Sequence, residues 1–143
     1  MGTDVAVAHI TSAPYCQSVD SEANKRCVSN FRKRVGPDEV TNMCWEEADF
    51  QTHLLADAMR KADGGNVMDL LRILPGSEFS APQGQVKIDE FNHHAYLHPR
   101  IGRVNASGQF DILQESQRWV RPDPYLVSHT IRDWSNNAQL HAR

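Results

Sequence analysis

The sequence predicts an α/β fold in which helices pack on a mostly parallel sheet and a C-terminal β-hairpin follows. Three stretches carry that prediction. Val5-Ala-Val-Ala-His-Ile10 is a short, mostly apolar run, as expected of a strand covered on both faces. From Trp45 to Lys61 the residues Ala48, Thr52, Leu55, Met59 and Ala62 recur at helical spacing, in a stripe widened by Gln51, Leu54 and Ala58. Beyond Pro82, Val86 and Ile88, Leu97 and Ile101, and Phe110 and Ile112 alternate with period two, interrupted by the polar run Asp89 to His94 and by Asn105-Ala-Ser-Gly108.

In chain order, Thr11-Ser-Ala-Pro14 ends the first strand, because Pro14 donates no backbone hydrogen bond and holds Ala13 extended. Asp20 or Ser21 caps a helix running to about Arg34, with Ala23, Cys27, Val28 and Phe31 on its apolar stripe. Arg32, Lys33 and Arg34 complement its dipole, and Gly36-Pro37 stops it. The Trp45 helix ends at Gly64-Gly65, and Asn66 caps a shorter helix from Val67 to Leu74 that Pro75-Gly76 terminates. Phe79 to Gln83 reads as a polar, hinge-like loop into the hairpin, with Gly108 supplying a positive φ in the later turn. Arg121-Pro-Asp-Pro124 forms a rigid connector to Tyr125-Leu-Val127, and Ser135 to Arg143 reads as a disordered tail.

The 143 residues are 40% hydrophobic and 23% charged with a net charge of -3, which is the profile of one ordinary globular domain without the basic footprint of a direct nucleic-acid binder. No apolar run approaches the roughly 18 residues of a membrane span, so no membrane insertion is expected. Met1 to Ala8 has neither a basic n-region nor an apolar h-region, which predicts a cytoplasmic protein, or a periplasmic one if an upstream signal segment is missing. Cys16, Cys27 and Cys44 lack C-x-x-C spacing and are odd in number, which points away from disulfides and zinc.

No catalytic residue, metal site or cofactor is expected. His93, His94 and His98 cluster beside Asp89, yet adjacent strand residues face opposite ways and no ligand spacing is completed, which favours turn stabilisation. Ser12 near His9 and Ser80 near His93 lack a nucleophile elbow. Glu46, Glu47 and Asp49 form an acidic helix start of the kind the dipole favours whatever the function. Tyr15 and Trp45 stand where a strand or loop meets a helix, a frequent place for a ligand-facing aromatic as well as for a core one.

Five motifs in order then carry a resemblance: His9-Ile-Thr-Ser-Ala-Pro-Tyr15, Ala81-Pro-Gln-Gly-Gln-Val-Lys-Ile-Asp89, Asn92-His-His94, Arg100-Ile-Gly-Arg-Val-Asn-Ala-Ser-Gly-Gln-Phe110 and Arg121-Pro-Asp-Pro-Tyr125. Together they resemble the C-terminal portion of the amide- and urea-binding branch of the type 1 periplasmic binding proteins, nearest the amide-sensing negative regulators of aliphatic amidase operons. The resemblance implies a partial two-lobed fold, with residues 1–95 an α/β segment of one lobe, 96–134 the hairpin and tail of the other, and 135–143 a disordered tail. It implies a non-enzymatic binder of a short-chain amide or urea, acting as a sensor that partners an antiterminator regulator. The alternatives are a solute receptor partnering an ABC transporter permease, or a ligand-incompetent interaction fragment. Tyr15, Trp45 and Glu46 become the candidate ligand-side residues. The branch usually opens the second helix with Glu-Ala-Ala-Tyr, where this chain has Glu46-Glu-Ala-Asp49, adding two anions near the expected cleft wall. Strand edges left unpaired by a partial fold predict a homo-oligomer.

Overall fold

A computed structural model describes residues 3–62 and 65–124. Helix α1 (Thr3–Ala6) leads into strand β1 (Ile10–Ala13). Helices α2 (Glu22–Val35), α3 (Met43–Lys61) and α4 (Val67–Ile73) follow, then strands β2 (Glu78–Ala81), β3 (Gly84–Ile88), β4 (Ala95–Tyr96), β5 (Arg100–Val104) and β6 (Phe110–Glu115). The strands form two three-stranded sheets, β1-β5-β6 and β2-β3-β4, and every pairing in them is antiparallel.

The α/β architecture with a terminal hairpin therefore stands, while the mostly parallel sheet does not hold among the described residues. β1 pairs with β5, which arrives late in the chain and runs the opposite way, setting Ile10 against Arg103 and Ala13 against Arg100. Its start also differs from the expected Val5. The run from Val5 to His9 instead spans a helical turn and a reversal at Ala8, whose φ is 71°. Val5, Val7 and Ile10 are exposed, so the apolar run is not a strand buried on both faces.

The helices follow their caps. Ser21 accepts from the Asn24 N–H at 3.0 Å, Asn42 from Trp45 at 2.9 Å and Asn66 from Met68 at 2.9 Å, each satisfying a donor that the first turn leaves unpaired. The Asn42 cap starts α3 two residues earlier than the Trp45 reading. The buried face of α3 is Glu46, Phe50, Leu54 and Ala58, a row at i, i+4 spacing, so only the Leu54 and Ala58 edge of the predicted stripe is buried, while Leu55 and Met59 at its centre are substantially exposed.

Phe50 and Leu54 meet Ala81 and Val86 in the core, with Leu74, Phe79, Ile88 and Leu97 packed around them. Phe79 to Gln83 is consequently no hinge. It is strand β2 and the tight turn into β3, with Ala81, Pro82 and Gln83 buried. Asp89 closes the next turn by accepting from the N–H groups of Phe91 and Asn92 at 2.9 and 3.1 Å, from the Tyr96 hydroxyl at 3.1 Å and from Arg121 Nε at 2.9 Å. The Arg121 bond holds the proline-rich connector, and Leu97 bridges to Val120 beside it. The Asn105 to Gly108 turn is held by the Asn105 side chain, which accepts from Ser107 and Gln109, with Gly108 at a φ of 75°. Tyr125 to Val127 and the tail from Ser135 lie outside the described residues.

Gly84 has a φ of 122°, and a Cβ there would stand 3.3 Å from His98 Cδ2. Gly84→Ala is expected to destabilise by about 1–3 kcal/mol, since backbone strain and a close contact act together. Chemical denaturation reads the loss. A change below about 0.5 kcal/mol would show that the β2–β3 turn relaxes freely.

Candidate functional site

Pro14 carries the chain out of β1 and turns Tyr15 inward, where it is 2% exposed. Its hydroxyl donates to Asn24 Oδ1 at 2.8 Å and lies 2.7 Å from Thr41 Oγ1. Asn24 spends both amide protons on the carbonyls of Gln17 and Val19, at 2.8 and 2.7 Å. The Gln17 side chain in turn accepts from the Thr41 N–H at 2.8 Å. This closed set ties the loop after β1 to α2 and to the approach of α3. Burial pushes the Tyr15 phenol up to about 12, so it remains a neutral donor.

Glu46 has no exposed surface. Its Oε1 accepts from the Gln83 backbone N–H at 3.3 Å and its Oε2 from Gln83 Nε2 at 2.8 Å. Burial pushes the carboxyl up to about 7 even though both bonds favour the anion, and the neighbouring Glu47 and Asp49 raise it further. The Gln83 carbonyl then accepts from Arg100 Nη2 at 2.7 Å. Arg100, 4% exposed, also bonds the carbonyls of Pro14 and His98 and pairs with Glu115 at 3.0 Å. Glu47 and Asp49, the two additions expected to face the cleft, are only half-buried, and Asp49 lies 3.9 Å from His53 Nε2.

The three candidate ligand-side residues therefore separate. Tyr15 lines a groove of about 370 Å³ formed by Thr11 to Ala13, Cys16, Gln17, Val40 to Met43 and Gly108 to Phe110. That volume falls within the range that holds small ligands. Trp45 instead packs edge-on against Phe31, with ring centroids 5.2 Å apart, and Glu46 is sealed beneath Gln83. A wider groove of about 770 Å³ follows the outer flank of α2, past Lys25, Arg32 and Lys33. Sequence reasoning gave no role to Asn24, Thr41, Gln83 or Arg100. Gln83 and Arg100 do sit inside two of the resemblance motifs, which was the available signal.

The clustered histidines act locally. His94 Nδ1 lies 2.8 Å from the Asn92 carbonyl oxygen and His98 Nε2 lies 3.1 Å from that of Gln85. Among the described residues no group of three or more His, Cys, Asp or Glu side chains could hold a metal ion, and no helix is long and apolar enough to cross a membrane.

Residues 1–130 match the periplasmic binding protein domain. The chain belongs to that family. A solute-binding protein of an ABC transporter from Rhodopseudomonas palustris, solved with p-hydroxybenzoic acid, is similar in fold with a TM-score of 0.74. It is 23% identical, over 88% of this chain and 35% of that one. An amino acid ABC transporter substrate-binding protein from Pseudomonas fluorescens gives a TM-score of 0.72 at 14% identity, covering 85% and 34%. In sequence, a Geobacillus stearothermophilus protein named limonene hydroxylase is 31% identical over 140 residues, which are 98% of this chain and 25% of that protein. The chain thus spans about a third of the length of the similar structures and a quarter of the curated relative.

Glu46 makes stability depend on pH with a definite sign. Its carboxyl lies near 4.5 ordinarily and near 7 in the fold, so the folded state holds the proton more tightly. The favourable contribution is complete below about pH 4.5 and is lost as pH rises to about 7. Asp89, held low chiefly by Arg121, acts in the opposite sense and only below the usual carboxylate range. Unfolding free energy is expected to fall by up to about 3 kcal/mol across the Glu46 window in the natural chain relative to Glu46→Gln. Parallel pH profiles in denaturant melts would refute this.

Proposed function

We propose that this chain contributes to a non-enzymatic solute-binding receptor of an ABC transporter, with the Tyr15 groove receiving part of a small organic solute. The observation that carries the reading is the family match over residues 1–130, to which the transporter-associated structural relatives add support. They favour a receptor that meets a permease over a cytoplasmic sensor that meets an antiterminator, and an exported location goes with that reading. The name limonene hydroxylase belongs to a protein of which this chain matches a quarter, and it carries no oxygenase chemistry to this chain.

For the ligand, an amide or urea rests on the motif resemblance, whereas the ligand printed for the Rhodopseudomonas relative is an aromatic acid. The groove suits a compact molecule with a polar edge, since Gln17, Thr41 and Asn42 line it beside Met43 and Phe110. The division at residues 95 and 96 is kept as a proposal. It passes through β4, between Ala95 and Tyr96, and β1 crosses it to pair with β5.

Calorimetric titration with acetamide, urea, p-hydroxybenzoate and leucine tests the assignment. Saturable binding by one of these is expected at roughly millimolar Kd, because a ligand of few atoms in part of a cleft gains little. Ser12→Trp, which fills the groove, should weaken it by about tenfold or more, equivalent to about 1.4 kcal/mol. Binding by none of the four, or binding indifferent to the filled groove, would sink the reading. Light scattering is expected to give a dimer or larger assembly, and a monomer at high concentration would remove the homo-oligomer proposal.

A further inference from the structure

Gln83 stands between two groups that make opposite demands on its amide. On one side Glu46 Oε2 accepts from Nε2 at 2.8 Å, and on the other Oε1 faces the His98 backbone N–H at a long 3.5 Å. His98 lies in the short link between β4 and β5, where the chain leaves one sheet for the other. Apart from the Nε2 bond and the Gln83 backbone N–H on Oε1, no described hydrogen bond reaches the Glu46 carboxylate.

We propose that Gln83 is a proton-operated relay: ionised Glu46 holds Nε2 inward and Oε1 towards His98, and protonation of Glu46 reverses the amide and releases the His98 link. The chemistry balances with one proton and no other reactant. A proton on Oε2 adds an O–H that must donate, and the amide nitrogen it faces has nothing to accept with. Rotating the amide by half a turn brings Gln83 Oε1 to the new O–H, and Nε2 then meets the His98 N–H, donor against donor. The His98 bond breaks, being the longer and weaker of the two. The Gln83 backbone does not have to move, so its N–H stays on Glu46 Oε1 and its carbonyl stays on Arg100. The sheets remain joined while the link between them loosens.

Surrounding charges leave the switch free to operate. The titratable groups that act on Glu46 or feel it are Glu47 and Asp49 on its own helix, Tyr15 from the loop after β1 and Cys27 from α2, and the nearby cation Arg100 of β5 bonds the Gln83 carbonyl and pairs with Glu115, making no bond to the Glu46 carboxylate. Burial places its titration near neutral pH, where such a change is usable.

Nitrogen-15 NMR of the full chain, from about pH 5.5 to about pH 8.5, reads the relay directly through the Gln83 side-chain NH2 pair and the carbon-13 signal of the Glu46 carboxyl. Both are expected to move together with one midpoint. Amide exchange at residue 98, corrected for intrinsic chemistry, should be faster on the acid side. Glu46→Gln, whose own NH2 replaces the acid proton, should lock the Gln83 pair at its low-pH position. His98→Asn, which keeps the backbone N–H and removes the imidazole, should leave the Gln83 midpoint in place. Stationary Gln83 signals, a Gln83 titration that survives in Glu46→Gln, or one that disappears in His98→Asn would overturn the proposal. Should Glu46→Gln fail to fold, the paired midpoints in the natural chain and in His98→Asn decide it.

Discussion

Gln83 is the residue on which the two halves of the fold depend. Helix α3 reaches it through Glu46, sheet β2-β3-β4 holds it in the turn after Ala81, and sheet β1-β5-β6 grips its carbonyl through Arg100. The apolar core cannot substitute for it, because Phe50, Leu54, Ala81 and Val86 join α3 to one sheet only. The seam to the other sheet includes buried polar groups, and it is tolerable because every buried side-chain nitrogen and oxygen among the described residues has a partner. Removing one member would leave the rest desolvated and unpaired, a loss of about 1–3 kcal/mol per neutral group and more where Arg100 or Glu46 is stranded.

Two closed polar sets flank that seam and work by the same rule. The Tyr15, Asn24 and Thr41 set fixes the loop that forms one wall of the small groove, so any ligand of the kind proposed would meet a wall already in place. Preorganisation of this kind limits the ordering cost of binding, which matters most for a ligand with few atoms. Asp89 does the same for the connector from Ser116 to Pro124, and the Arg121 bond keeps that otherwise irregular segment against the sheet. Apolar burial is modest by comparison. Val67, Met68 and Leu71 on α4 remain largely exposed, which suits a chain matching a third of its structural relatives' length.

A buried carboxylate with a midpoint near neutrality sits awkwardly with stability and comfortably with regulation. Glu46 is held at the cost of desolvation, and two N–H groups from one residue offset only part of it. A leucine in its place would fill the space but leave the Gln83 amide without an acceptor. The acid is thus bound to its partner's chemistry, and the pair behaves as one unit.

Local physics made the helices and turns legible. Ser21 and Asn66 cap as their side-chain chemistry requires, Gly108 takes the positive φ its turn needs, and Val86 with Ile88 and Phe110 with Ile112 alternate within strands β3 and β6, whereas Leu97 falls in the link before β5 and Ile101 is exposed. The five motifs carried the periplasmic binding protein family but not the amide and urea branch within it. Strand direction was not legible, because the apolar run from Val5 named neither the strand, which is Ile10–Ala13, nor its partner, and β1 is paired by β5 from roughly 90 residues away. Only partly legible was the buried face of α3: Leu54 and Ala58 stood at the edge of the predicted stripe, but Glu46 looks like a solvated acid at a helix start until Gln83 arrives from the β2–β3 turn to bury it. Of the candidate site residues, only Tyr15 reaches the groove, because a side chain's neighbours are set by the elements packed on it. Trp45 and Glu46 were drawn away by Phe31 and Gln83, residues that local sequence reasoning has no means of placing beside them.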